Sequence, residues 1–251
     1  LGIRIDENCN LCGKCVEICR HEVLEKQNNK IVIINEAKCS KCGQCSAICQ
    51  PRAIQLFGKQ IESFDQNEVI RSVQQRHSVR HFQQEQISKE EILKIVNIAK
   101  FCPSACNVRP VKFKVINLMA NPQIEKYIID NHQEIMGWPY KEGVNGETFF
   151  RSAPYMIIGF NQTTGRCIQF AEAVSKDDAI IALTSIDLYA QQCGYGTFWC
   201  GLMAMALKNQ KVRELCKITD DQVIVGCLGF GKPNIKFYNP TIREDIKIEF
   251  K

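Results

Sequence analysis

Fifteen cysteines stand among 251 residues, and eight of them fall into one pattern written twice, CNLCGKCVEIC from Cys9 and CSKCGQCSAIC from Cys39. Cys9, Cys12, Cys15 and Cys19 return thirty residues later as Cys39, Cys42, Cys45 and Cys49, while Gly13 and Ile18 return as Gly43 and Ile48. The segment is an internal duplication. A cubane iron–sulfur cluster needs four thiolates converging from several directions. C-x2-C-x2-C winds a short loop round three corners, and a more distant cysteine closes the fourth. C-x2-C is also zinc spacing, but tetrahedral zinc would use two such pairs and leave the third and fourth cysteines of each run without a role. A disulfide framework needs an oxidising compartment, and nothing marks the chain as secreted. The spacing therefore points to iron–sulfur chemistry.

On these runs the segment resembles the bacterial two-cluster ferredoxins, in which the last cysteine of each run ligates the other cluster. The resemblance implies two [4Fe–4S] clusters, one held by Cys9, Cys12, Cys15 and Cys49 and the other by Cys39, Cys42, Cys45 and Cys19. The proline that follows the fourth cysteine in that family is replaced by Arg20 and Gln50, with Pro51 one place late. Extended pieces at Ile3 to Asp6 and Ile31 to Asn35, with Val23-Leu24 and Ala53-Ile54 after the runs, fit small hairpins that shield the clusters. Residues 55–63 read as the connection leaving this module.

The formal net charge is +5 and contains no block of like charge, so neither nucleic acid nor a membrane surface is expected as a partner. Residues 1–62 carry nine Lys/Arg against seven Asp/Glu. Each oxidised cluster with its thiolates would add about −2, making the loaded segment mildly acidic. No apolar run approaches the length of a membrane span and the amino end has no signal pattern, so a cytoplasmic location is expected. Seven cysteines (102, 106, 167, 193, 200, 216 and 227) lie outside the runs and read as buried thiols in a reducing compartment.

From Asp65, read as a cap, the spacing of Val69, Ile70 and Val73 predicts a helix. RHSVRHF follows at 76–82, two arginines flanking a serine, which by itself suits either a phosphate or a basic solvated surface. Ser88 and Glu91 form a capping box for a helix through Ala99, which ends at the turn-rich FCPSACNVRP. KFKVINL predicts a strand, 122–135 a helix, 137–146 a loop carrying Trp138, and APYMIIGF a central strand. Asp177 and Asp178 are expected to open an apolar helix stopped by Gly194, before GYGTFWCG at 194–201. Helices near 202–207 and 211–216, a strand at 222–230 and an extended end carrying Arg243 complete the chain.

RHSVR, CPSACN and GYGTFWCG, in this order among alternating helices and strands, resemble the nitroreductase family of FMN enzymes over residues 65–251. The expected class is α+β, a small two-cluster ferredoxin-like domain at 1–60 followed by a nitroreductase-like domain at 65–251 with a central sheet flanked by helices. The resemblance implies a homodimer with two FMN sites built from both subunits. Arg76 and Ser78 would hold the flavin phosphate, helped by Arg243, with His77 counted among the cofactor-binding residues, and Arg80 would lie near the ribityl chain and the N1/O2 edge, where a cation stabilises reduced flavin. Pro103, Ser104, Ala105 and Asn107 match the loop that reaches the flavin of the other subunit. Trp199, Cys200 and Gly201 match the segment beside the isoalloxazine, with an amide near Cys200 or Gly201 facing N5. Arg109 stands where the family usually has glutamine, and Thr241 where some members have a second phosphate-binding lysine. Phe198 and Trp199 read equally well as core or as flavin neighbours.

No G-x-G-x-x-G follows a strand, and GCLGFG from Gly226 has the wrong spacing, so no dedicated nicotinamide domain is expected. Clusters carry single electrons, FMN takes one or two, and organic acceptors commonly take pairs. The chain reads as an FMN oxidoreductase that takes electrons from reduced ferredoxin or NAD(P)H through its clusters. Its acceptor would be a nitro compound, a quinone or a related small molecule, with no catalytic side chain. A non-enzymatic electron-transfer protein and a flavin reductive dehalogenase or ene-reductase stand as alternatives.

Overall fold

The computed structural model describes residues 2–141, 149–162 and 168–251. Residues 142–146 of the expected loop, and Cys167, lie outside the described residues, as does the side chain of Cys106. The chain divides into two compact units, residues 1–77 with 236–251, and residues 78–235. This division differs from the expected boundary near 60–65, because the last sixteen residues belong with the cysteine-rich segment.

In the first unit, strand β1 (Arg4–Ile5) pairs antiparallel with β4 (Ile54–Gln55), and β2 (Leu24–Gln27) with β3 (Lys30–Ile33). Each cysteine run turns into a short helix, α1 (Lys14–Glu17) or α2 (Gln44–Ile48), which starts from a glycine in the left-handed region. Ile3, Val23, Leu24, Ile31, Ala53 and Ile54 form the core with Cys15 and Cys49, and Cys9, Cys19, Cys39 and Cys45 pack against it. Helix α3 (Glu68–Gln75) starts two residues later than its expected cap allows. The side chain of Asn67 accepts from the amides of Val69 and Ile70, while Asp65 accepts from Asn67 N at 2.7 Å and makes the preceding turn. The apolar positions on α3 remain outside, with Val69 73% exposed.

The described residues of the second unit form a four-stranded antiparallel sheet in the order β5 (Val111–Asn117), β6 (Tyr155–Gln162), β8 (Gln222–Gly231), β7 (Gly196–Trp199). The continuous apolar run of β6 earns its central place: Met156, Ile157 and Ile158 are fully buried. Helix α4 (Lys89–Val96) has the expected capping box, with Ser88 Oγ accepting from Glu91 N at 3.2 Å and donating to Glu91 Oε2 at 3.1 Å. The single helix expected over 122–135 is two, α5 (Pro122–Asp130) and α6 (His132–Met136), divided at Asn131. Helix α7 (Ile168–Gln192) begins well before the Asp pair expected to open it. Its Leu183, Ile186 and Ala190 pack with Ile157, Leu228 and Phe230 of the sheet. Helices α8 (Gly201–Ala206) and α9 (Gln210–Leu215) fall where the sequence predicts them. Among the described residues no helix is long and apolar enough to cross a membrane.

Candidate functional site

The glycines that open α1 and α2 turn each loop sharply between the second and third cysteines of its run. Cys15 and Cys49 are buried, Cys12 and Cys42 exposed, and the other four lie between. The fourth sulfur of each run accepts the amide four residues on, Val23 N to Cys19 Sγ at 3.4 Å and Ala53 N to Cys49 Sγ at 3.3 Å. Such bonds spread charge from a ligating thiolate. Burial, followed by the charges of Cys49, Cys12 and Cys9, pushes the Cys15 thiol up to about 12. Cys45 is raised by burial and then by Cys42, Cys15, Cys19 and Cys39. Cys15 thus feels two cysteines of its own run and Cys49 of the other, whereas Cys45 feels two of its own run together with Cys15 and Cys19. Among the described residues no three His, Cys, Asp or Glu side chains converge as ligands of one metal ion do. The corners of a cubane stand farther apart than ligands around a single ion.

Also in the first unit, Arg76 at the end of α3 and Arg243 line one cleft of about 420 Å³, with Lys59, Glu62, Thr241 and Asp245. Lys59 Nζ meets Asp245 Oδ1 at 3.0 Å, and Arg243 donates from Nη1 to Lys41 O at 3.3 Å. His77 is only 4% exposed and stacks on Phe237, ring centres 4.1 Å apart. Burial and then the Arg76 and Arg243 cations lower its pKa to about 4, so at neutral pH it is an uncharged packing ring and adds no charge for a phosphate.

In the second unit, the rest of the RHSVR run lies along β7. Ser78 forms a parallel bridge with Thr197, and Val79 N donates to Thr197 O at 2.8 Å. Gly196 permits this approach, since a Cβ there would stand 2.5 Å from Val79 Cγ1. Arg80 donates from Nη1 to Ser78 O at 3.3 Å and sits 6.0 Å from the centre of the Phe198 ring. Phe198 is buried and belongs to the core, whereas Trp199 is 39% exposed. Cys200 N donates to Cys227 O at 2.8 Å, and the amide of Gly201 lies with the others of the first turn of α8 outside the helical ladder. Burial pushes the Cys200 thiol up to about 11, against the lowering influence of Arg151 and Arg80, so it is no nucleophile at neutral pH.

Pro103, Ser104, Ala105 and Asn107 lie on a tight turn against α7. Ala105 N donates to the two carboxylate oxygens of Asp178 at 3.2 and 3.3 Å. Arg109, at the usual glutamine position, donates from its amide to Ser104 Oγ at 3.1 Å and from Nε to Asn107 Oδ1 at 2.9 Å. Lys100, Pro103, Ser104, Arg109 and Asp178 line a second cavity of about 260 Å³. Asp178 is thus a tertiary anchor and not a helix cap. Replacing it with alanine strands a half-buried amide and should lower stability by about 1 kcal/mol or more. Urea unfolding of Asp178→Ala within about 0.5 kcal/mol of the parent would refute that role.

Sequence reasoning also missed Asp187, a buried carboxylate that accepts from Thr197 Oγ1 and, at 2.8 Å, from Gln191 Nε2. It fixes β7 from within the core. Asn239 was missed as well: 1% exposed, it donates from Nδ2 to Cys49 O at 2.7 Å and accepts from Arg52 Nε at 3.0 Å. The signal in both cases is a polar residue inside an otherwise unremarked stretch, which single-sequence periodicity does not distinguish from a solvated one.

Residues 73–232 match the Nitroreductase family, and the match leaves the cysteine runs outside it. A Methanothermobacter thermautotrophicus protein with the provisional name NADH dehydrogenase/NAD(P)H nitroreductase is 26% identical over 166 residues, 66% of this chain and 78% of that protein. One of the same provisional name from Archaeoglobus fulgidus is 24% identical over 178 residues, 70% of this chain and 92% of that one. Among solved structures, the FMN-bound nitroreductase of Bacteroides fragilis superposes with a TM-score of 0.59 at 16% identity, over 74% of this chain and 100% of that one. The FMN-bound nitroreductase of Desulfitobacterium hafniense gives 0.58 at 19% identity, over 74% and 100%. With more than half of its length matched by the family and the same fold in its solved relatives, this chain belongs to the nitroreductase family.

Proposed function

We propose that the chain is an FMN-dependent oxidoreductase that receives electrons through two [4Fe–4S] clusters and reduces a nitro compound, a quinone or a related small organic acceptor. The observation that carries this reading is the joining of a nitroreductase-family unit to a unit that carries the duplicated eight-cysteine pattern. The donor chemistry fits a pair of clusters: each proposed set would supply four sulfurs, three of the eight accept amides, and apolar side chains enclose the buried ones. Bound FMN would supply exchange between one-electron and two-electron steps.

The residues themselves bind and orient. Arg76, Ser78 and Arg243 would hold the phosphate, Arg80 would place its guanidinium near the N1/O2 edge, and Gly201 N–H would face N5. Trp199, half-exposed beside them in sequence, would border the ring. His77 would serve by packing. The turn at 103–107, held by Asp178, would act toward the flavin of a second copy of the chain. Two relatives carry NAD(P)H in their names, so NADH and NADPH belong beside reduced ferredoxin among candidate donors.

The deciding experiment measures steady-state reduction of nitro, quinone and halogenated compounds with each of the three donors. Turnover of a nitro or quinone compound with ferredoxin supports the proposal, and electron transfer only to a protein acceptor overturns it. The flavin released on denaturation should be FMN. Loss of a charge-assisted phosphate contact costs about 1.5 to 3 kcal/mol, so Arg76→Ala should bind FMN roughly tenfold to hundredfold more weakly. Parent-like affinity in that variant, read by flavin fluorescence, would remove Arg76 from the site.

A further inference from the structure

The two cysteine runs are near copies, but the rest of the first unit treats them differently. Gly13 and Gly43 occupy equivalent places in the runs, both in the left-handed region, with φ +79° and +72°. Around Gly13 nothing lies within 4 Å of the place a Cβ would take. At Gly43 a Cβ would stand 3.0 Å from Thr241 Cγ2 and 3.1 Å from Ile242 O. The carboxyl-terminal segment is thus pressed onto the second run at a point where the first run is open.

Further contacts tie the same segment to the same run. Arg243 Nη1 donates to Lys41 O at 3.3 Å, and Lys41 Nζ pairs with Glu244 Oε1 at 3.3 Å. The amides of Tyr238 and Asn239 donate to Ala47 O at 2.9 and 3.1 Å, and Asn239 Nδ2 donates to Cys49 O at 2.7 Å. The carbonyls left over at the end of α2 are therefore satisfied by residues about 190 positions away. Arg243, held between these contacts, lines the cleft that also contains Arg76.

We propose that the second cysteine run is the positioning element for Arg243, so that phosphate binding in the Arg76–Arg243 cleft is linked to the state of the Cys39–Cys49 loop and not to that of the Cys9–Cys19 loop. The inference rests on the phosphate reading given above. Linkage is reciprocal: whatever displaces the second loop weakens the phosphate contact, and an occupied phosphate site steadies that loop.

The duplication supplies the control. Gly13→Ala and Gly43→Ala introduce the same backbone strain at equivalent positions, but only the second pushes on the carboxyl-terminal segment. FMN and riboflavin, which lacks the phosphate, are titrated into flavin-free protein of matched iron and labile-sulfide content. Gly43→Ala should bind FMN about tenfold more weakly with riboflavin unchanged, and Gly13→Ala should alter neither by more than about twofold. Thr241→Ser, which deletes the opposing methyl group, should recover part of the loss in Gly43→Ala and nothing in Gly13→Ala. Should Gly43→Ala not fold, Thr241→Ile enlarges the same contact from the other side and should give the same selective loss. Equal FMN loss in the two glycine variants, no loss in Gly43→Ala, or equal loss of riboflavin overturns the linkage. Arg243→Ala separates the two claims. If it leaves FMN affinity unchanged, the phosphate assignment itself falls. If it weakens FMN while the glycine variants behave alike, only the linkage falls.

Discussion

Protein purified without oxygen is expected to contain about eight irons and eight acid-labile sulfides per chain, and removal of that iron should unfold the cysteine-rich unit while residues 78–235 stay folded. The expectation follows from how little else holds the first unit. Its strands are two to four residues long, too short to stand as independent sheets. Its core residues Ile3, Val23, Leu24, Ile31 and Ile54 pack against the cysteines, so emptying the sites removes the centre of the core. A unit this small has little apolar burial to offset chain entropy and relies on such a staple. The second unit has a core of its own in Ile157, Leu183, Ile186, Leu228 and Phe230. Amide exchange before and after anaerobic chelation reads both units at once. Protection should vanish over the paired strands of the first unit and persist in the sheet of the second. Zinc without labile sulfide, or unchanged protection after iron loss, would defeat the prediction.

The cysteine runs stand out in the sequence because a duplicated spacing needs no tertiary context to be seen, while their ligand role belongs to the proposed function. The central strand at Tyr155 was legible because two buried faces require unbroken hydrophobicity. Helix starts were read less well. Asp65, Asn67, Asp177 and Asp178 are all acceptable caps by type, and only the fold reveals that Asn67 is used and that Asp178 holds Ala105 instead. The attachment of the last sixteen residues to the first unit left no local pattern. It depends on Asn239 meeting α2 across nearly the whole chain, a contact without a period. Gly43 looked identical to Gly13 in sequence, and their different surroundings come from Thr241 and Ile242. His77 was drawn into the flavin site by its neighbours Arg76 and Ser78, although its ring packs on Phe237.

Replacing Cys12 with alanine is expected to abolish flavin reduction by reduced ferredoxin while leaving FMN in place. Cys12 is exposed and lies among the charges acting on Cys15, so its loss damages the set of Cys9, Cys15 and Cys49. The carboxyl-terminal segment that carries Arg243 is tied to the other run through Lys41 and Ala47, and keeps these two supports in this variant even where the Asn239 contact with Cys49 O is disturbed. FMN affinity should accordingly remain within about twofold of the parent, well inside the effect of a lost phosphate contact. A small chemical reductant able to reach the flavin directly should still reduce it at the parent rate. The fall in ferredoxin-driven rate should exceed about a hundredfold, because a broken relay leaves only the slow direct encounter between ferredoxin and a shielded flavin. Stopped-flow absorbance at the flavin band, with ferredoxin in one arm and the chemical reductant in a parallel run, separates the outcomes. If Cys12→Ala retains FMN and is reduced by ferredoxin as fast as the parent, the first set of cysteines is not on the route to the flavin. If both reductants fail together, the variant has lost the flavin site and not the relay, which the FMN titration would reveal independently.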